Sequence, residues 1–198
     1  MGSSLDLESI LNRRQWRLTP LHLFYPLSEF YEQAGLPLPS VAQVAARNVP
    51  EPYRSLLVHD RDMTPTVEEA CGRKVELHVI KFALDAGVVS RQIVLVPEGT
   101  ARAVVFGAIK IYLKHFPPEA QRLVLEKKQP LGTILRTQGI AHMSRPDAYI
   151  QVTADAPINS ALDLTGAAVL YGRRNVLLDS ARNTLARVLE ILPPSLVD

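Results

Sequence analysis

A single cysteine, Cys71, rules out an intrachain disulfide and any cysteine-built metal cluster, and it suits a reducing compartment. Charge of one sign is also scarce. The net charge is only +2 and no basic run is present, so a nucleic-acid surface is not expected. No apolar stretch approaches the roughly 20 residues of a spanning helix. The opening MGSSLDLES lacks a basic region followed by an apolar run, so neither a signal peptide nor a membrane anchor is expected and the expected location is cytoplasmic. There is no glycine-rich phosphate loop, no HExxH and no GxSxG. The five histidines, His22, His59, His78, His115 and His142, lack metal-ligand spacing and read as surface or structural groups, so no metal or cofactor is expected.

What remains is a globular balance of 47% hydrophobic and 21% charged residues in 198, which suits one domain able to bury its own core. Residues 1–55 are rich in proline and read as a helical extension, with 56–198 as the core. Helices are expected at Ser4–Gln15, through Leu7, Ile10 and Leu11, and at Glu29–Ala34, capped by Ser28 and stopped by Gly35. Pro37, Pro39, Pro50 and Pro52 then break the chain into loops. Thr64 and Pro65 open a short helix that Gly72 ends.

Strands follow. Val75, Leu77 and Val79 alternate with Glu76 and His78; Arg91–Val96, Ala101–Tyr112, Ala148–Thr153, Ala167–Leu178 and Asn183–Leu192 continue the pattern. Helices are expected at Pro117–Lys127 and Pro130–Arg136, and Asp179–Asn183 reads as a hairpin turn. Hairpins with inserted helices predict an α+β fold, a single antiparallel sheet with helices on one side.

Two residues break the apolar faces of these strands. Glu190 shares a face with Ala186, Val188 and Leu192, and a carboxylate there requires a partner or a shifted pKa. It is either an acid–base candidate or a strand-end group that reaches solvent or pairs with an arginine. Arg91 shares a face with Ile93 and Leu95 and calls for an anion, from a substrate or from an internal glutamate. Of the adjacent Arg173 and Arg174, at most one faces inward. The Pro130-Leu131-Gly132 turn can present free backbone N–H groups.

The ordered set Asp62-Met63-Thr64, Ser90 to Leu95, Pro130-Leu131-Gly132, Tyr171-Gly172-Arg173-Arg174 and Leu185 to Pro193 resembles the chorismate pyruvate-lyase family, from about Leu56 onward. The resemblance implies helical flaps over an internal ligand site. It also implies cofactor-independent conversion of chorismate into a hydroxybenzoate, 4-hydroxybenzoate in the first instance, and pyruvate, with quinone biosynthesis as the setting. It puts the substrate carboxylate on Arg91 and the Leu131 N–H, and the functional carboxylate on Glu190. Met63, Gly132 and Arg174 join as substrate-binding candidates. The alternative is a non-enzymatic domain of the same fold that senses or binds a hydroxybenzoate-like molecule. Such domains normally accompany a winged-helix DNA-binding segment, and no basic recognition helix is evident. A structural protein that kept the fold and lost the site is the third reading. The expected partner is an aromatic or enolpyruvyl carboxylate.

Overall fold

A computed structural model describes residues 18–196; the helix expected at Ser4–Gln15 lies outside them. The chain begins with helices α1 (Pro20–Leu23) and α2 (Leu27–Gln33), followed by strand β1 (Val41–Val44) and a 3-10 turn at Ala46–Asn48. Helices α3 (Tyr53–Leu57) and α4 (Met63–Cys71) come next. Strands β2 (Val75–Asp85), β3 (Val88–Pro97) and β4 (Val105–Tyr112) form consecutive hairpins, and a 3-10 turn covers Leu113–His115. Helices α5 (Pro118–Glu126) and α6 (Leu131–Thr137) precede β5 (Met143–Thr153). Helix α7 (Ala156–Leu162), β6 (Val169–Leu178) and β7 (Thr184–Leu192) complete the fold.

All seven strands join one antiparallel sheet in the order β1-β5-β6-β7-β4-β3-β2. Alternation of side chains divides each strand between two faces. One face packs against α1, α2 and α7 through Phe24, Leu27, Phe30, Tyr31, Ile158 and Leu162. The other packs against α3 to α6 in two clusters. Val124, Ile134 and Leu135 lie over Val89 and Ile111, while Leu57, Met63 and Val67 lie over Leu95 and Leu192. The space between these clusters becomes the site.

The α+β fold with a single antiparallel sheet is as expected. The expected one-sided helices account for α3 to α6, while the opposite face carries three more. Residues 18–55, expected as a helical extension, are part of the core in their described portion. Val41–Val44 pairs with β5 as an edge strand, and Phe24 and Val49 are fully buried. A four-residue strand between prolines is too short to show an alternation. Three helix starts differ from expectation. Ser28 lies inside α2, buried, instead of capping it. The cap of α4 is Asp62, not Thr64. Helix α7, for which no helix was expected, is capped by Asp155, whose carboxylate accepts from the Ile158 N–H and the Tyr31 hydroxyl. Gly72 ends α4 at φ +63°, where a side chain would be strained.

Two glycines set the spacing around β7. A Cβ on Gly107 of β4 would stand 2.0 Å from the Leu189 carbonyl oxygen, and one on Gly172 of β6 would stand 2.4 Å from that of Glu190. The β7 backbone is thus flanked on both sides by neighbours that only glycine permits.

Candidate functional site

Strand register arranges the site face in rows that cross four strands. Val89, Ile111, Ala186 and Leu177 form one row. Arg91, Ile109, Val188 and Asn175 form the next, followed by Ile93, Gly107, Glu190 and Arg173. The first row is apolar and buried. The polar groups of these three rows are confined to the second and third, and these floor a cavity. Its volume is about 70 Å³, several times the roughly 10–15 Å³ that one water molecule requires. Met63 and Thr64 of α4, and Pro130, Leu131 and Gly132 at the start of α6, roof it. A Cβ on Gly132 would lie 3.3 Å from Thr64 Oγ1, so the two helix starts meet closely over the floor.

Arg91 is 1% exposed. Its guanidinium donates to the carbonyls of Val124, at the end of α5, and Gln129. Among the described residues no carboxylate pairs with it, and no protein acceptor meets its buried Nε. Burial lowers its pKa to about 10, since the cation has exchanged water for an apolar surround. The carbonyls at a helix C-terminus offset part of that penalty but supply no full counter-charge.

Glu190 faces the same cavity and is not free. Its Oε2 accepts from Arg173 Nε at 2.8 Å, and Arg173 is fully buried. The remaining Arg173 N–H groups donate to the carbonyls of His59 and Arg61 and to His59 Nδ1. Burial raises the Glu190 pKa, Arg173 opposes the rise, and nearby Asp62 adds to it. Of the pair, Arg173 serves to hold Glu190 in place at the cavity floor.

Two histidines that read from sequence as structural groups flank the site. His59 has its pKa lowered by burial and by the Arg173 charge. Its Nε2 meets the Leu56 carbonyl and its Nδ1 accepts from the Arg61 N–H, an arrangement that suits the neutral ring. His142 behaves in the opposite way. Both its nitrogens face oxygen acceptors, Asp62 Oδ2 at 2.8 Å and the Ile140 carbonyl at 3.0 Å. The Asp62 hydrogen bond is the main reason its pKa rises. Asp62 therefore links the start of α4 to the segment before β5, at the rim of the cavity.

Of the six residues expected at the site, Arg91, Glu190, Met63, Leu131 and Gly132 line this one cavity. Arg174 is a correction. It points to the opposite face, where it pairs with Asp147 and donates to the His22 carbonyl. The inward member of the pair is Arg173, because Arg173 stands opposite Glu190 in the register. Asn175, two residues beyond Arg173 on the same face, also lines the cavity and was not anticipated, although the period of two that selected Glu190 would have selected it.

No protein-family model matches the chain, and no curated protein matches it. Among solved structures it is similar to the effector domain of PhnF from Mycobacterium smegmatis, at 15% identity and a TM-score of 0.52, over 69% of this chain and 91% of that one. A structure of PhnF from the same organism matches at 14% identity and a TM-score of 0.50, over 97% of this chain and 94% of that one. The ligand-binding domain of a candidate GntR-family transcriptional regulator from Bordetella bronchiseptica matches at 14% and 0.47, over 61% and 86%. The fold is the chorismate lyase-like one. At these identities the likeness is one of fold.

Proposed function

We propose that the chain is a small-molecule binding or sensing domain whose ligand is a small, largely apolar carboxylate. The observation that carries this reading is Arg91, a buried cation that lines a largely apolar cavity with no carboxylate among the described residues to neutralise it. A buried charge is tolerated when it is paired, and a ligand carboxylate supplies the pair. The cavity carboxylates each have a partner within the protein, Arg173 for Glu190 and His142 for Asp62. Arg91 is thus the cavity charge left for a ligand to meet, and it suits a carboxylate head group. The fold, shared with an effector domain, supports binding without turnover. Isothermal titration with benzoate, 4-hydroxybenzoate and chorismate tests it. Binding that Arg91→Met abolishes supports the reading; equal binding by both proteins refutes it.

Chorismate lyase activity is the second reading, and it rests on Glu190. A carboxylate with a raised pKa beside the anion site can take part in proton transfer. In that reaction the enol ether C–O bond breaks and the ring loses a proton to become aromatic. The leaving enolate takes up one proton as pyruvate. Arg91 would hold a substrate carboxylate, and Glu190 would contact the ring hydroxyl and assist the proton. Pyruvate release from chorismate that Glu190→Gln abolishes would make the chain an enzyme; binding without pyruvate release leaves the sensing reading.

A further inference from the structure

The row that begins at Arg91 ends at Asn175, and the two are separated by Ile109 and Val188. Three strand intervals put their Cα atoms about 14 Å apart on one face. Both side chains rise from the floor of the cavity, one at each end of an apolar strip. Asn175 is 3% exposed, and among the described residues no donor reaches its Oδ1.

The orientation of this amide follows from its neighbours. Asn175 Nδ2 lies 2.8 Å from Ser144 Oγ, and Ser144 Oγ in turn lies 3.4 Å from the Arg61 carbonyl oxygen. A carbonyl only accepts, so the single serine proton is directed to Arg61. Ser144 must then accept from Asn175, which presents its NH₂ to the serine and turns its oxygen away. The Arg61 carbonyl is also held by Arg173, the residue that fixes Glu190. One short network thus orients the Asn175 oxygen and the Glu190 carboxylate on adjacent rows of the same floor. Both are acceptors. A buried acceptor without a donor is a standing penalty of the kind that a matched ligand group removes.

We propose that Asn175 is a specificity-determining residue that reads a hydrogen-bond donor, a hydroxyl or N–H, at the end of the ligand remote from its carboxylate. This inference rests on the carboxylate-binding reading and narrows it. The ligand class becomes an anion with an apolar middle and a distal donor. A pure hydrocarbon acid leaves Oδ1 unmet, and a distal acceptor such as a ketone meets two acceptors.

The test compares benzoate, 3-hydroxybenzoate and 4-hydroxybenzoate by isothermal titration on the full chain, with Asn175→Leu and Asn175→Ala. The wild-type protein is expected to bind at least one hydroxybenzoate about five- to tenfold more tightly than benzoate. Both variants are expected to lose that ratio, binding the hydroxybenzoates no more tightly than benzoate, since Arg91 and the apolar strip are untouched. Retained benzoate binding also shows that the variants fold, and the alanine variant serves if leucine does not fit. A ratio that survives in either folded variant, or wild type that does not favour a hydroxyl at all, overturns the role of Asn175 while leaving the carboxylate site standing. Failure of wild type to bind any of the three acids overturns both.

Discussion

Replacing Arg91 by methionine separates binding from stability. The lowered pKa means that burial disfavours the guanidinium cation; from 12.5 to about 10, at about 1.4 kcal/mol per tenfold, the penalty at neutral pH is roughly 3 kcal/mol. Its direct partners lose little when it goes. The Val124 carbonyl also accepts from the Lys127 N–H, so it remains satisfied. The Gln129 contact is long, at 3.5 Å. Methionine fills much of the vacated space with a flexible apolar chain. Replacing a whole buried ion pair by apolar residues of similar volume is commonly neutral or stabilising by about 1–4 kcal/mol, and Arg91 has no carboxylate partner among the described residues that its loss would strand. For a domain of this size each kcal/mol moves Tm by about 2–4 °C. Arg91→Met is therefore expected to melt at the wild-type temperature or several degrees above it. The same change removes the counter-charge of a ligand carboxylate, a loss of about 2–5 kcal/mol, or roughly 30- to several-thousand-fold in affinity. Calorimetric melting and titration on the same samples read both quantities. A variant that melts well below wild type yet binds carboxylates normally would refute the reasoning, since Arg91 would then be a structural residue.

Arg173→Leu is expected to behave in the opposite way, losing about 3–5 kcal/mol in urea unfolding, because it leaves Glu190 buried without its partner. Arg174→Ala should leave ligand affinity unchanged and cost no more than about 1 kcal/mol, since its ion pair with Asp147 lies on the far face. In an NMR titration the His142 ring should titrate above 6.5 and the His59 ring below it. The His142 pKa is raised in the folded state, so its stabilising contribution is full below pH 6.5 and is lost as pH rises from there through the folded-state pKa; unfolding of His142→Gln should lack this alkaline decline. Gly107→Ala drives a Cβ against the Leu189 carbonyl and should cost about 3 kcal/mol or more, or prevent soluble expression.

The legible parts of the sequence were those with a strict period. Strands β6 and β7 were placed to within two residues, while β2 runs six residues beyond the expected alternation and β5 begins five residues before it; the same alternation singled out Arg91 and Glu190 as polar residues on apolar faces. Proline and glycine marked the ends of α4, α5 and α6. Short or locally encoded pieces were not legible. Strand β1 has four residues, and α7 has only seven, about two turns, although Asp155 followed by Pro157 is a start signal. The choice between Arg173 and Arg174 could not be made from one strand, because it depends on which of them faces Glu190 across the ladder. His142 reaches Asp62 across 80 positions of sequence, a distance that no local pattern spans.

The position of β7 has a consequence for how the fold assembles. It is the last strand made and yet lies between β6 and β4, so the halves β1-β5-β6 and β4-β3-β2 are joined only through it. Until Thr184–Leu192 is available, both halves present an open hydrogen-bonding edge to the surroundings. Closing the sheet depends on pairings between residues far apart in sequence, which slows folding relative to local structure. The cavity floor is completed in the same event, because β7 brings Glu190 between Gly107 and Arg173. Completion of the cavity floor and completion of the sheet are therefore a single step in the life of the chain.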